Sequence, residues 1–478
     1  MNRFLFCCYM LFPIIAFSQS TKPNILFCIA DDWGWPHAGV YGDQVVKTPA
    51  FDQLAANGIL FEEAFVSSPS CTPSRGAVLS GQHFFRLGQG ANLWSTLNKS
   101  IPVYPLLLEE AGYFVGSWRK AWGPGDLRAG GYGDVNPAGK VFKGGLEAFL
   151  QQKPDDQPFC FWLGSPDPHR PYDKGIGKRS GIHPDRIKVP AFYPDVDEIK
   201  NDLADYYFEV QRFDSDIAKA IEVLRQHQLL ENTIIVVTGD HGMPFPRCKG
   251  NLYDMGARVP LVISWPAQIK KNRVFDGVVS LTDLAPTFLE AAGVAIPETV
   301  TGHSLLGLCK NENMETAAKQ RQQVIFGRER HTPAQERPSL NGYPSRALRT
   351  QEYLLIKNYK PERWPAGAPT NSTHPIGSFA DCDDGPTKSY LIAHQANKEI
   401  APFFNLSFAK RPAVELYQIK TDPYQIHNLA DDPKFADVKQ RLLKELESEL
   451  EKAKDPRVLT PDPPFDHYPY LSQYQLKN

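Results

Sequence analysis

The chain has 478 residues, of which 42% are hydrophobic, and its formal net charge is −2. A chain of this length buries enough apolar surface for one large domain and a smaller one. The near-neutral charge excludes a general attraction to nucleic acid or to a membrane surface, so an anionic ligand must be drawn by a local group of cations.

The first eighteen residues have the pattern of a secretory signal peptide. Arg3 precedes an apolar run over residues 4–17, which is too short to span a bilayer and is followed by small polar residues. We therefore expect residues 1–18 to be removed, the protein to be secreted or periplasmic, and the mature chain to have no membrane span.

Four apolar runs of strand length end in polar groups that could share one site. The runs cover residues 24–30, 113–117, 159–163 and 233–237. They lead in turn into Asp31-Asp32, Arg119-Lys120, Asp167-Pro168-His169 and Asp240-His241. Continuous apolar runs are typical of buried parallel strands, and ligands bind beyond the carboxyl ends of such strands. The pattern predicts an α/β fold with one pocket at that edge of the sheet.

Three of these polar groups are carboxylates, which are costly to bring together without a cation. Asp31 and Asp32 are adjacent, and Asp240 follows another predicted strand with His241 directly after it. Carboxylate oxygens suit Ca²⁺ or Mg²⁺ better than a metal that prefers thiolates. A divalent cation site is therefore predicted.

Cys71 lies in a polar, proline-rich run, Ser-Pro-Ser-Cys-Thr-Pro-Ser-Arg-Gly, that leads into a predicted helix over residues 74–81. A structural cysteine normally lies in an apolar run, so this composition predicts a thiol that is presented to solvent. Free amides at a helix N-terminus favour an anion, and Arg75 lies one helical turn away. The segment therefore indicates an oxyanion substrate.

The run Cys71-Thr72-Pro73-Ser74-Arg75 matches Cys-x-Pro-Ser-Arg, the signature of the type I, formylglycine-dependent sulfatases. The chain is similar to that family, and most of all to its heparan N-sulfatase (sulfamidase)-like branch, over nearly the whole mature length. The matching stretches are ADDWGW, SPSCTPSRGAVLSG, DPHRPY, GDHGMPFPRCKGNLY, SLTDLAPTFLEAAGV and ELYQIKTDPYQIHNLADDP. The resemblance implies an alkaline-phosphatase-like fold, in which helices cover both faces of a large, mixed, mostly parallel sheet.

The resemblance also implies roles for individual residues. Cys71 would be oxidised to formylglycine (3-oxoalanine) by a formylglycine-generating or sulfatase-maturing enzyme, and the hydrate of that aldehyde would attack sulfur. Arg75 would stabilise the hydrate, and His169 and Lys249 would contact the sulfate and the bridging atom. Residue 71 would share a Ca²⁺ ion with four residues, namely Asp31, Asp32, Asp240 and His241.

One segment departs from the family pattern. The family usually has Gly-Lys-x-His where this chain reads Ser-Trp-Arg-Lys-Ala-Trp-Gly-Pro-Gly over residues 117–125, so the histidine is missing. One alignment puts Arg119 at the lysine position, and a shift of one residue puts Lys120 there. We favour Lys120, because its amine is a compact donor to a sulfate oxygen, and Arg119 stays open as the alternative.

The catalytic domain is predicted to cover residues 19–340 and a small α+β subdomain residues 341–478. The large domain should include helices over 203–229 and 283–292 and a strand over 260–265. The subdomain should contain antiparallel strands within 346–358 and 414–419 and a helix over 435–453. Arg330, His331 and Arg346 lie near the boundary among aromatic residues, and we expect them to bind a charged saccharide.

Together these features predict a secreted, calcium-dependent sulfatase that removes sulfate esters from a sulfated saccharide or polysaccharide, acting at a chain end. N-sulfoglucosamine sulfohydrolase (sulfamidase) is the nearest alternative. A phosphate or phosphonate monoester hydrolase would use a similar metal and oxyanion pocket. Because the usual histidine is missing, a non-catalytic, glycan-binding relative is a further alternative.

Overall fold

The computed structural model describes residues 22–310, 313–370, 372–375 and 377–472. The predicted signal peptide lies outside these residues. Among the helices described, none combines the length and the apolar character that crossing a membrane requires.

Within the described residues, eight strands form one large mixed sheet. In chain order they are β1 (Asn24–Ala30), β2 (Ile59–Phe65), β3 (Phe114–Arg119), β4 (Lys140–Val141), β5 (Phe159–Gly164), β6 (Thr233–Gly239), β7 (Leu261–Ser264) and β8 (Arg273–Ser280). Their order across the sheet is β4-β3-β5-β1-β6-β7-β2-β8. The strand β7 runs antiparallel to both of its neighbours, and the other pairings are parallel.

Helices cover both faces of this sheet. The α-helices are α1 (Pro49–Ala56), α2 (Cys71–Ser80), α3 (Tyr104–Glu110), α4 (Gly145–Leu150), α5 (Ile176–Arg179), α6 (Asp197–Gln226), α7 (Asp254–Ala257), α8 (Leu284–Ala291), α9 (Leu306–Cys309), α10 (Met314–Gln320), α11 (Pro386–Ala393), α12 (Ala401–Phe408), α13 (Ala436–Lys452) and α14 (Pro456–Leu459). Short 3₁₀ helices cover Gly39–Tyr41, Phe84–Arg86, Gly88–Ala91, Pro184–Arg186, Leu281–Asp283, Pro433–Phe435 and Pro464–Asp466.

The central strand β1 is buried on both faces, which explains why its apolar residues do not alternate with polar ones. All seven of its residues are buried. Ile25, Phe27 and Ile29 pack with α2, α3 and α8 on one face, and the alternate residues pack with α1, α4 and α6 on the other. Because β1, β3, β5 and β6 are parallel, the polar residues after them meet at one edge of the sheet.

A second sheet has four antiparallel strands in the order β12-β11-β10-β9. They are β9 (Gln323–Arg328), β10 (Ser345–Thr350), β11 (Tyr353–Asn358) and β12 (Val414–Gln418). The helix α13 packs onto it through Leu442, Leu446 and Leu450, which recur every fourth residue and are fully buried. The predicted fold class is confirmed, although β9 places the start of the small sheet before the boundary expected at residue 340.

Arg346 belongs to the core of this second sheet, which corrects its predicted role in substrate binding. Its guanidinium is fully buried, with Nε 2.5 Å from Asp455 and Nη2 2.8 Å from Glu329. Arg457 donates to the other side of the Glu329 carboxylate. These charges cross-link β10 to the N-terminus of α14, and Arg346, Glu329 and Asp455 are all buried.

Replacing Arg346 should therefore affect stability first. We expect Arg346→Met to lower the free energy of unfolding by about 3–5 kcal/mol, because two buried carboxylates lose a partner. Urea denaturation followed by circular dichroism measures this change. Lys319→Ala removes an exposed pair with Glu315 and should cost about 0.5 kcal/mol or less. Equal losses of unfolding free energy for the two substitutions would contradict a stabilising role for the buried ion pairs of Arg346.

Candidate active site

The carboxyl edge of the large sheet brings the predicted site residues together. Asp31 and Asp32 follow β1, Asp240 and His241 follow β6, and Cys71 begins α2. Asp32 has a φ of 76°, which is rare for a residue with a side chain. Its backbone amide donates to Asp240 Oδ1 at 2.9 Å, so one site carboxylate holds the other in this conformation.

Three buried carboxylates are matched by three buried or half-buried cations. Arg75 Nε lies 2.8 Å from Asp240 Oδ2, and its Nη2 lies 3.6 Å from Asp31 Oδ1. Lys120 Nζ lies 2.5 Å from Asp31 Oδ2, and Lys249 Nζ lies 2.9 Å from Asp32 Oδ2. Each acid therefore has a specific cation, which offsets the cost of burying its charge.

The protonation states follow from these contacts. Burial by itself would raise the pKa of Asp31, but Lys120 and the neighbouring cations hold that pKa well below its usual range. For Asp32 burial prevails over Lys249 and raises its pKa. Burial opposes the charge on both lysines, yet Asp31 raises the pKa of Lys120 and Asp32 raises that of Lys249. Both lysines therefore remain cationic at neutral pH.

Four of the five predicted metal residues offer ligand atoms within 4.8 Å of one another, namely Asp31, Asp32, Cys71 and His241. His241 Nε2 lies 3.2 Å from Asp32 Oδ1 and 3.3 Å from Cys71 Sγ. Asp32 Oδ1 is buried and accepts no hydrogen bond. An orphaned oxygen in a set rich in carboxylates fits a hard divalent cation.

Asp240 differs from the other predicted metal ligands. Its two oxygens accept from Arg75 Nε and from the Asp32 amide, and Oδ1 lies 3.6 Å from His241 Nε2. It therefore borders the cluster and orients Asp32 and Arg75.

Cys71 is the first residue of α2, at the centre of this site, but the expectation that it is presented to solvent is wrong. Its relative exposure is 2%, because every residue of α2 is buried. Ser74 Oγ donates to Asp240 O and Arg75 Nη1 donates to Lys120 O, so the first turn is tied to the loops after β6 and β3. Burial raises the pKa of the Cys71 thiol, which makes the unmodified side chain a neutral, poor nucleophile.

Lys120 and Arg119 occupy different surroundings. Arg119 turns away to pair with Asp216 at 2.5 Å and lies over the Trp118 ring at 3.9 Å. Lys120 enters the cluster through Asp31, which supports Lys120 as the sulfate-binding cation. Ala121 and Trp122, which align with the missing histidine, are buried in the apolar core.

His169 lies at the open side of the cluster. Its side chain is 36% exposed and Nε2 is 3.9 Å from Asp32 Oδ2. Its Nδ1 contacts the Arg170 carbonyl, which only accepts, so Nδ1 carries the proton and Nε2 faces the site. This arrangement suits proton exchange with a bound group.

The two remaining substrate-binding candidates, Arg330 and His331, have different surroundings. Arg330 is buried and donates to the carbonyls of Leu340, Tyr468 and Pro469, so it anchors the C-terminal segment instead of meeting a ligand. Burial lowers its pKa to about 10. His331 is closer to the chemistry, because its Nδ1 lies 2.8 Å from the hydroxyl of Ser70, the residue before Cys71.

One acid that the sequence analysis did not single out joins the site. Asp383, from the loop before α11, lies 2.9 Å from Lys249. Its oxygen lies within 4.8 Å of ligand atoms of Asp32 and His169. No strand-like run precedes it, and its run of acids in a loop resembles an ordinary solvated turn.

Known proteins resemble this chain over most of its length. The profile of the Sulfatase family matches residues 23–135 and 136–294, and that of the N-sulphoglucosamine sulphohydrolase C-terminal region matches 239–366. The chain is similar to human N-sulphoglucosamine sulphohydrolase, with 28% identity over 504 aligned residues and 95% of each chain covered. An ulvan-active sulfatase of Formosa agariphila is 28% identical over 89% of this chain and 80% of its own.

A solved structure has the same fold. It holds its substrate D-glucosamine-2-N,6-O-disulfate and superposes with a TM-score of 0.62 at 19% identity, covering 92% of this chain and 99% of its own. The Sulfatase profile covers more than half of the sequence, and the matched ranges include Asp31, Cys71 and Asp240. The chain therefore belongs to the sulfatase family and is a sulfuric ester hydrolase.

Proposed function

We propose that this protein is an exported, calcium-dependent sulfatase that hydrolyses a sulfate ester of a sulfated saccharide at a chain end, with formylglycine at position 71. The observation that carries the proposal is the position of Cys71 on the first turn of a buried helix, beside Arg75, Asp31, Asp32 and His241. A neutral thiol at that position has no evident use, whereas an oxidised side chain there would face the cation site and the two lysines.

The donor set supports a calcium ion held by Asp31, Asp32, His241 and residue 71. When bound, such an ion would neutralise the carboxylates and stabilise negative charge on the attacking oxygen. Asp240 would keep Asp32 and Arg75 in position. Three carboxylates around the site favour a hard cation over one that prefers thiolates.

Formylglycine would supply what cysteine and serine lack. Its hydrate carries two hydroxyl groups, so one can attack sulfur and the other can later expel sulfate and restore the aldehyde. Arg75, fully buried beside residue 71, would stabilise the charge that develops there. A formylglycine-generating or sulfatase-maturing enzyme is required to produce this side chain.

The other side chains have complementary tasks. Lys120 and Lys249 stay cationic and would bind the sulfuryl oxygens. In its imidazolium form, which carries a proton on both ring nitrogens, His169 at the open side would give the Nε2 proton to the departing atom and keep the proton on Nδ1. The fully buried part of the site, around Asp32, Asp240, Arg75 and His241, would bind the sulfate and leave the sugar outside. This supports action at a chain end over cleavage along a polymer.

The saccharide class rests on the relatives. Both curated relatives are named for action on sulfated saccharides, one for N-sulfoglucosamine and one for ulvan. A sulfamidase activity is the second candidate, because the family profile of the N-sulphoglucosamine sulphohydrolase C-terminal region matches residues 239–366, which include Lys249 and His331. His169 could protonate a leaving nitrogen as well as a leaving oxygen.

The first test is the chemical state of residue 71 together with a substrate panel. After coexpression with a maturing enzyme, we expect mass spectrometry of the Cys71 peptide to show 3-oxoalanine. The matured protein should hydrolyse O-sulfated or N-sulfated saccharides in preference to phosphate and phosphonate monoesters. Cys71→Ala should reduce the rate by about 10³-fold or more. An intact thiol in an inactive protein would indicate a non-catalytic, glycan-binding relative. A preference for phosphonates would indicate a phosphonate monoester hydrolase instead of a sulfatase.

Bound calcium should also stabilise the folded protein against thermal unfolding. At free Ca²⁺ about a hundredfold above Kd we expect about 2–3 kcal/mol of stabilisation, measured as a rise of the thermal unfolding midpoint over a chelated sample. Asp32→Asn should lose most of this rise. Asp134→Asn, at an exposed pair with Arg128, should keep it. The same rise in all three proteins would place the ion elsewhere.

The two candidate cations after β3 can be separated by kinetics. Lys120→Ala should lower kcat/KM by about 10²–10³-fold, because a charge aimed at the sulfuryl group is lost. Arg119→Ala removes a part-exposed pair with Asp216 and should change kcat/KM by about threefold at most. The reverse order of effects would assign the role to Arg119.

A further inference from the structure

Asp383 is held in place by contacts on both sides of its loop. On one side, the buried Asp381 carboxylate accepts from Arg328 Nη2 at 2.8 Å and from the Thr332 amide at 2.7 Å. On the other, Lys388 Nζ donates to the Cys382 carbonyl at 2.9 Å. The loop is thus fixed to β9 and to α11, and the position of Asp383 is determined before any substrate arrives.

The surroundings of Asp383 are those of a permanently ionised group at the mouth of the site. Lys249 Nζ lies 2.9 Å from both Asp383 Oδ2 and Asp32 Oδ2, so this lysine connects the part-exposed Asp383 to the fully buried Asp32. Burial would raise the pKa of Asp383, but Lys249 and His169 hold it well below its usual range. The carboxylate is therefore a fixed acceptor with no proton to give.

Exposure separates the floor of the site from its mouth. The side chains of Asp32, Asp240, Arg75 and His241 are fully buried. Those of Lys120, Asp383 and His169 are 22%, 26% and 36% exposed. A substrate whose sulfate reaches the floor therefore passes these three side chains, and its sugar ring stays beside them.

A carboxylate at this mouth cannot serve the sulfate group. It would repel the sulfate, and Asp31, Asp32 and Asp240 already balance the charges of Arg75, Lys120 and Lys249. Asp383 instead lies beside His169, on the side from which the leaving atom would depart. Its chemical complement is a hydrogen-bond donor on the sugar: a hydroxyl or a protonated amino group.

We infer that Asp383 determines specificity by accepting a hydrogen bond from a hydroxyl or amino group of the sugar that carries the scissile sulfate. This inference rests on the proposed function and adds a residue to it. Its consequence is selectivity: saccharide sulfates with such a donor are cleaved in preference to sulfate esters that lack one, because an unpaired carboxylate at the mouth penalises the latter.

The test compares two kinds of substrate in one matured protein. The probes are 4-nitrophenyl sulfate, which has no donor beside its ester, and the sulfated monosaccharide that the wild type cleaves best. For Asp383→Ala we expect kcat/KM on the monosaccharide to fall by about 30- to 100-fold, and the loss on the aryl sulfate to be at least about tenfold smaller. Asp383→Asn keeps an acceptor oxygen without charge, so it should retain more activity on a sugar with hydroxyl donors than on an amino sugar.

Asp384→Asn is the matched control. This neighbouring carboxylate is 69% exposed and pairs with Lys388, so its loss removes the same charge from the same loop without touching the site. It should leave both rates unchanged, and thermal unfolding of every variant verifies folding. Equal losses on both probes, or no loss on the monosaccharide, would overturn the role of Asp383. A wild type inactive on every sulfated probe would instead overturn the proposed function.

Discussion

The site depends on one electrostatic constraint: three carboxylates that share a buried edge of the sheet must be neutralised. Arg75, Lys120 and Lys249 each pair with one of them, and each reaches its partner from a different part of the chain. Removing any partner would leave a buried charge, so the acids fix the positions of the very cations that a sulfate needs. Structure and function therefore rest on the same contacts.

Much of this arrangement follows from the sequence. Asp31-Asp32 and Asp240-His241 end apolar runs, and parallel strands bring their carboxyl ends together, so their convergence could be predicted without coordinates. The strand over 24–30 is present as predicted, and the strand predicted over 233–237 extends to residue 239. The helix predicted over 203–229 is also present, but it begins at residue 197 and ends at residue 226. The predicted small antiparallel sheet is also present, but it includes β9, which was not predicted as a strand because only three apolar residues, 324–326, mark it in the sequence.

The failures share a physical cause, which is contact between distant segments. Cys71 has polar neighbours in sequence, but those neighbours bond to loops after β3 and β6 and close over the thiol. Arg346 resembled a ligand-binding arginine because its partner Asp455 lies 109 residues away. Asp383 lay unnoticed in an acidic loop because only the folded chain brings it to Lys249. Charge patterns in sequence identify groups that need partners and leave open which partners they find.

The most direct test of the account is a crystal structure of the matured protein grown with Ca²⁺ and sulfate. The account predicts a hydrated aldehyde at position 71 in contact with an ion held by Asp31 and Asp32, and a sulfate between Lys120 and Lys249. An intact thiol at residue 71 with the ion bound elsewhere would contradict it.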